Sequence, residues 1–170
     1  MSGRLVEGRA RVLGDDINTD YLISSSRKKE SLDPAVLRLY LLEDLDPAFA
    51  AGVRQGDILV AGRNFGCGSA MEVAVTVLLG AGIGVVIAKS FSRTYWRNAI
   101  NNGLLVIVAD TSQIVEGDPL SLRFSGVQPE LHVGLAPSRR IACEPVSDFV
   151  LAMQEAGGLV PYLRQHRTLA

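Results

Sequence analysis

The stretch that decides the fold is DILVAGRNFGCGSAMEVAVTVLL, residues 57–79. The apolar run from Asp57 to Ala61 predicts a short buried strand, which Gly62 ends. Residues 63–69 form a loop punctuated by glycine, and a helix is expected from about Ala70 to Leu79. A strand, a glycine loop and a helix in this order indicate the first half of a strand-helix-strand unit.

The chain continues this pattern downstream. The β-branched run Ile83 to Ala88 predicts a strand, Arg93 to Asn101 a helix, and Leu104 to Val108 a further strand. Two consecutive strand-helix-strand units imply a parallel sheet segment. Short strands are then expected at 120–124, 131–133 and 139–143, and helices near 147–156 and 160–166. The predicted fold class is α/β, with a mixed sheet or small barrel and flanking helices.

Upstream, the alternation from Leu5 to Leu13 predicts a half-buried strand. Residues 24–31 are rich in serine and charge and have no apolar periodicity, so a mobile surface loop is expected there. Asp33-Pro34 has the pattern of an N-cap followed by proline at the first helical position, and this helix should end before Asp46. No linker divides the chain, which is expected to be one domain over residues 1–170.

Composition excludes several functions. The 17 Lys and Arg residues against 18 Asp and Glu residues leave a net charge of -1, so we expect neither nucleic acid nor a membrane surface as a partner. No apolar run approaches the roughly 20 residues of a membrane span. The two cysteines and two histidines do not have the spacing of any recognisable four-ligand site, so no metal site is expected on this chain. Without a signal sequence or a disulfide framework, the cytoplasm is the expected location.

Two interpretations of Ser69 are open at this level. At a helix N-terminus it would lie beside unpaired N–H groups that favour an anion, or it would cap the helix in a capping box with Glu72. A nucleophilic Cys67 is less favoured, because Phe65 and Ser69 stand where a nucleophile elbow needs glycine. The cationic run 27–29 would bind a carboxylate or form a solvated flank. Asp15, Asp16 and Asp20 resemble a metal cluster, yet they also fit turn chemistry.

Several segments together resemble one family. They are GDDINTD at 14–20, GRNFGCGS at 62–69, AKSF at 88–91 and RNAINNGL at 97–104. In this order they are similar to the small subunit of 3-isopropylmalate dehydratase, the separate-chain form of the aconitase swivelling domain. The resemblance extends from about Gly8 to Val108.

This resemblance implies a swivelling β/β/α domain that pairs with a large subunit in a heterodimer or heterotetramer. The large subunit would carry a [4Fe-4S] cluster, with no cofactor on this chain. The pair would be a hydro-lyase that isomerises or dehydrates a small hydroxy diacid, with 2- and 3-isopropylmalate of leucine biosynthesis as the first expectation. Ser69 would remove the proton next to the activated carboxylate. The N–H groups of Ala70 and Met71 at a helix N-terminus would stabilise its alkoxide.

The sequence departs from the family on the substrate side. The family continues Ser-Ser-Arg-Glu, whereas this chain has Ser69-Ala70-Met71-Glu72 and so lacks the arginine that binds a substrate carboxylate. Glu30 stands where isopropylmalate-specific members have an apolar residue. A substrate of the methyl-substituted malate, citraconate or homoaconitate type is the alternative, as is a non-catalytic partner subunit. The expected substrate contacts are Gly66, Cys67, Gly68, Ala70, Met71, Arg27, Lys28, Lys29 and Arg63.

Overall fold

A seven-stranded curled sheet forms the centre of the molecule. The structure is a computed structural model, and it describes residues 3–167. The strands are β1 Leu5–Val12, β2 Ile58–Ala61, β3 Val85–Ala88, β4 Leu105–Val108, β5 Pro119–Ser125, β6 Gln128–Val133 and β7 Arg139–Ala142. The helices are α1 Thr19–Leu22, α2 Ser25–Glu30, α3 Pro34–Leu37, α4 Phe49–Gly52, α5 Val73–Gly80, α6 Arg93–Asn101, α7 Asp148–Ala156 and α8 Leu159–His166.

The sheet has the order β4-β3-β2-β1-β5-β6-β7, with β1 at its centre. The C-terminal half of β1 pairs in parallel with β2, and its N-terminal half pairs antiparallel with β5. The two edges approach each other, since Ala109 forms a bridge with Cys143 and the N–H of Glu144 donates to Val108 O at 2.9 Å. The sheet therefore curls into a half-barrel, which confirms the predicted mixed sheet and its parallel segment.

Two apolar clusters stabilise this arrangement. One lies between the sheet and the helices and includes Leu59, Leu78 and Tyr95. The other fills the inside of the curl and includes Ile58 and Leu122. Strands β2 and β3 are buried at every position because helices cover one face and the half-barrel interior covers the other.

Several predicted elements differ from the structure; strand β6, predicted from residue 131, begins at Gln128, and β3, predicted from Ile83, begins at Val85. Residues 25–30 form the short helix α2, so the loop predicted over 24–31 is wrong. The helix behind Asp33-Pro34 has the predicted cap, but its α-helical part ends at Leu37 and a 3-10 turn follows over Arg38–Tyr40. The helix predicted from Ala70 begins at Val73. Within residues 3–167, no helix is both long and apolar enough to cross a membrane.

Candidate active site

The glycine loop, residues 62–72, connects β2 to α5 at the carboxyl end of the parallel strands, where open α/β sheets bind ligands. Its first half runs beside the segment that follows β3. The N–H of Phe65 donates to Ser90 O at 3.0 Å, and the N–H of Ser92 donates to Phe65 O at 2.9 Å. The path of the loop is thus fixed by backbone bonds on one side.

The motif at residues 14–20 braces the other side of the loop. Asp15 Oδ1 accepts from the N–H of Arg63 at 2.6 Å, and Asp16 Oδ1 accepts from Asn64 Nδ2 at 2.9 Å. The N–H of Gly66 donates to Ile17 O at 2.8 Å. These carboxylates are therefore engaged in contacts that join two loops. Within residues 3–167 no group of three or more His, Cys, Asp or Glu side chains could hold a metal ion.

Ser69 lies four residues before the first helical residue of α5, and its side chain is exposed. The buried hydroxyl of Thr19 donates to Ser69 O at 2.9 Å. This bond engages one lone pair of the Ser69 carbonyl, and the helix begins only at Val73. Glu72 occupies the N-cap position and makes no side-chain cap bond. The capping box of Ser69 and Glu72 was therefore a wrong prediction, and Ser69 lies near the N-terminus of α5 without being its cap.

Unpaired backbone donors surround Ser69 even without a helix end. Across residues 3–167, none of the N–H groups of residues 68–72 donates to a protein acceptor. The first helical bond is made further on, from the N–H of Ala74 to Met71 O at 3.2 Å. The Ser69 hydroxyl also has no partner in the described part of the chain. The loop therefore presents a free hydroxyl within a run of free backbone donors.

Glycines 66 and 68 allow close packing within the protein itself. Both have positive φ, +80° and +98°, which favours glycine. A Cβ on Gly66 would collide with the Tyr95 ring, and one on Gly68 with the Asn18 side chain. The need for glycine at these positions therefore follows from the protein's own contacts.

Three aromatic side chains pack beneath the glycine loop. Phe65 packs edge-to-face on Tyr95, with ring centroids 5.1 Å apart, and on Phe91 at 5.8 Å. The Tyr95 hydroxyl donates to Ala74 O at 2.9 Å. Burial raises the pKa of Tyr95 well above its usual range, so it stays protonated and acts as a donor. Tyr95 thus contacts both ends of the segment that carries Ser69.

The residues predicted to contact substrate occupy several different environments. Met71 is buried in the core, so any contact there would use its backbone. Cys67 is half-buried, and Gly68 and Ala70 are exposed beside Ser69. Lys28, Lys29 and Arg63 are exposed. Arg27 is already paired with Glu43 and Glu30.

Arg63 also borders an open cleft of about 690 Å³ at the carboxyl ends of β2, β3 and β4, next to the end of β7. Lys89, Asp110 and Glu144 line the same cleft. Hydrogen bonds from Ser112 and the charge of Lys89 lower the pKa of Asp110. His132 is separate, since it lies on β6 and its ring nitrogens contact Glu130 of the same strand and Ser138 just before β7.

Sequence reasoning missed Thr19 and Tyr95, which hold the serine loop. Thr19 lies inside the quoted motif, but its bond to Ser69 spans 50 residues and no local pattern indicates it. The aromatic content of residues 91–96 was visible, yet its contact with Gly66 depends on the packing of α6 beneath the loop.

The fold and the loop define a class of protein. The family model described as the aconitase C-terminal domain matches residues 42–112, which contain the glycine loop, β3 and β4. A half-barrel with a glycine loop at the end of its parallel strands is thus of the aconitase swivelling-domain class.

Relatives that align over nearly the full length of the chain define the family within this class. The 3-isopropylmalate dehydratase small subunit 1 of Methanopyrus kandleri is 39% identical over 165 residues, 95% of this chain and 94% of that protein. The methanogen homoaconitase small subunit of Methanocaldococcus jannaschii is 38% identical over 165 residues, 97% of this chain and 95% of that protein. The chain belongs to the family of 3-isopropylmalate dehydratase small subunits.

A solved structure agrees with this assignment. The crystal structure of 3-isopropylmalate dehydratase from Methanocaldococcus jannaschii matches with a TM-score of 0.89 at 38% identity, covering 96% of each chain. The predicted family and fold class are therefore confirmed.

Proposed function

We propose that this chain is the small subunit of a hydro-lyase that isomerises or dehydrates a small hydroxy diacid, with Ser69 as the base. The observation that carries the proposal is the state of Ser69. Its hydroxyl is exposed and has no partner among residues 3–167, although the loop around it is braced on both sides. Contacts that hold the loop on both sides of an exposed serine are expected where that serine has a function.

In this proposal the Ser69 oxygen accepts the proton on the carbon next to the substrate carboxylate. An alkoxide at this position needs donors that are already in place. The N–H groups of Ala70 and Met71, which follow Ser69 in the chain, are the candidates, and one such donor contributes about 3 kcal/mol in comparable sites. Thr19 fixes the peptide group between Ser69 and Ala70, so that the Ala70 N–H keeps its direction.

The proposal requires a second chain. Ser69 and its neighbours Gly68 and Ala70 are exposed, so a partner must cover them to exclude water during the reaction. The residues that the structure describes do not provide a ligand set for an iron-sulfur cluster. We therefore assign the [4Fe-4S] group to a large subunit, in a heterodimer or heterotetramer. Two unpaired thiols support a reducing cytoplasm as the location.

The first proposed substrate is 3-isopropylmalate, because most of the relatives compared are named for it. A relative named homoaconitase small subunit is almost equally similar, at 38% against 39%. Overall identity therefore does not separate the two substrates. The buried Met71 offers no charge to a substrate carboxylate, which keeps methyl-substituted malate and citraconate as alternatives.

The test is a substrate panel with the reconstituted pair. The chain is co-purified with its large subunit, the cluster is rebuilt anaerobically, and hydration of isopropylmaleate, citraconate, dimethylmaleate and cis-homoaconitate is measured. We expect turnover of one of these and its loss in Ser69→Ala. Ser125→Ala, which alters an exposed serine on β5, should behave as wild type. Absence of turnover with every substrate would favour the non-catalytic partner subunit.

A further inference from the structure

Helix α2, residues Ser25–Glu30, lacks buried side chains and a side-chain N-cap. None of its six residues is buried, and its N-cap residue, Ser24, makes no side-chain cap bond. A helix of this length is not stable by itself in water. Contacts with the rest of the molecule must therefore hold it.

Arg27 provides the main contact. Its Nε donates to Glu43 Oε1 at 2.8 Å, and a terminal nitrogen donates to Glu43 Oε2 at 3.2 Å. The guanidinium carbon lies 3.8 Å from the centroid of the Tyr40 ring. A second terminal nitrogen lies 3.3 Å from Glu30 at the end of α2. The guanidinium is thus held by a forked carboxylate contact and an aromatic face.

The platform on which Arg27 rests is itself fixed. Tyr40 and Glu43 flank Leu41 and Leu42, and both of these leucines are completely buried. The N–H of Leu42 also donates to Leu22 O at 3.1 Å, which joins this segment to α1. Arg27 therefore connects an unburied helix to a part of the core.

A short series of contacts leads from α2 to the serine loop. The hydroxyl of Ser25, the first residue of α2, donates to Asp20 Oδ1 at 3.1 Å. Asp20 follows Thr19, whose hydroxyl holds the Ser69 carbonyl. The N-terminal end of α2 is thus adjacent to the turn that holds the glycine loop.

We propose that Arg27 is a positioning residue, which holds α2 against Tyr40 and Glu43 and thereby sets where Lys28 and Lys29 lie. It is not a ligand of the substrate, because two carboxylates already engage its guanidinium. The contact with Glu43 is a property of the chain alone. Its effect on substrate binding rests on the proposed function, in which α2 borders the site.

The first test uses the isolated chain. Glu43→Gln removes the forked contact and leaves every trypsin site unchanged, including those after Lys28 and Lys29. We expect cleavage after these lysines, followed by mass spectrometry, to become about fivefold faster or more as α2 opens locally. Glu7→Gln, an exposed glutamate on β1, is the control and should cleave at the wild-type rate. Equal rates for Glu43→Gln and wild type would overturn the proposal.

The second test uses the complex with the large subunit. Arg27→Gln, Glu43→Gln and the double variant form a cycle. Positioning predicts that each single change raises KM about threefold or more with little effect on kcat, and that the double variant is no worse than either. Effects of Arg27→Gln and Glu43→Gln that add in full in the double variant would show that Arg27 acts independently of Glu43, as a direct substrate contact does, and would overturn the proposal. If the wild-type complex has no turnover, the proposed function fails, and the proteolysis still decides whether Arg27 holds α2.

Discussion

At the scale of single residues, Gly66 shows how strictly the serine loop is built. It has a φ of +80° and lies against the Tyr95 ring, so it combines an unusual backbone conformation with a lack of space. The two contributions can be separated, because Gly117 has a similar φ of +87° and a Cβ added there would meet nothing within 4 Å.

Gly66→Ala should therefore lower the free energy of unfolding by about 3 kcal/mol or more, since strain and collision act together. Gly117→Ala should cost only about 1 kcal/mol, the contribution of backbone strain. Urea denaturation of both variants gives the comparison. Equal losses would mean that contact with Tyr95 does not require glycine at position 66.

Asp57 is a buried carboxylate that joins β1 to the segment before β2. Burial opposes its ionisation, but the hydrogen bonds from Arg9 and the N–H of Arg54, with the charges of Arg9 and Arg11, hold its pKa below the ordinary value of 3.8. A carboxyl whose folded-state pKa is lowered contributes its stability above the unfolded value and loses it as the pH falls through the folded value.

Asp57→Asn should thus lower the free energy of unfolding by about 3 kcal/mol at pH 7, because the buried contact loses its negative charge: Arg9 loses its carboxylate partner and the mostly buried Arg11 keeps only Glu116. The difference from wild type should shrink as the pH falls below 3.8. Denaturation at a series of pH values measures this. Asp44→Asn, at an exposed position, is the control. A difference that stays constant down to pH 2 would contradict the role of the Asp57 charge.

At the scale of elements, the bond from Thr19 in α1 to Ser69 links two segments that are distant in the sequence. Thr19→Val keeps the shape of the side chain but removes the donor, and it leaves the Ser69 carbonyl free. Thr19→Ser keeps the donor. We expect kcat of the complex to fall about tenfold in the valine variant and to stay within about twofold of wild type in the serine variant. Equal kcat values in both variants would mean that the bond does not position Ser69.

The elements also show what sequence patterns can predict. The parallel strands and α6 were found because β-branched runs and a helical segment with clear ends carry their own local signal. The start of α5 was misplaced because residues 70–72 follow a non-helical path that has no local signal in the sequence. Helix α2 was missed because its stability comes from the Arg27 contact with Glu43 and not from apolar periodicity.

At the scale of the whole molecule, the curl of the sheet brings its two edges together between Ala109 and Cys143. This closure was expected only in general form, because the pairing of distant strand ends has no local signature. The candidate site was likewise predicted only in part. The glycine loop and Ser69 were visible in the sequence, whereas the bracing from residues 15–19 was visible only as an unassigned motif.

The closure can be tested through the thiols. Burial is the main reason that the pKa of Cys143 rises to about 11, while Cys67 is half-buried in the glycine loop. In a thiol titration of the folded chain at pH 8, Cys67 should react first and Cys143 much more slowly, since the thiolate is the reactive form. Cys67→Ser should remove the fast phase, and denaturation should make Cys143 react at once. A fast phase that persists in Cys67→Ser would show that the closure is open.

The central claim is that Ser69 performs the proton transfer in a site that two chains complete. The most direct measurement is kcat of the reconstituted complex for its best hydroxy diacid, with wild type and Ser69→Ala compared at equal cluster content. The account predicts that kcat falls by at least about a thousandfold, while the free energy of unfolding and assembly with the large subunit remain unchanged. Undiminished turnover in Ser69→Ala would contradict it.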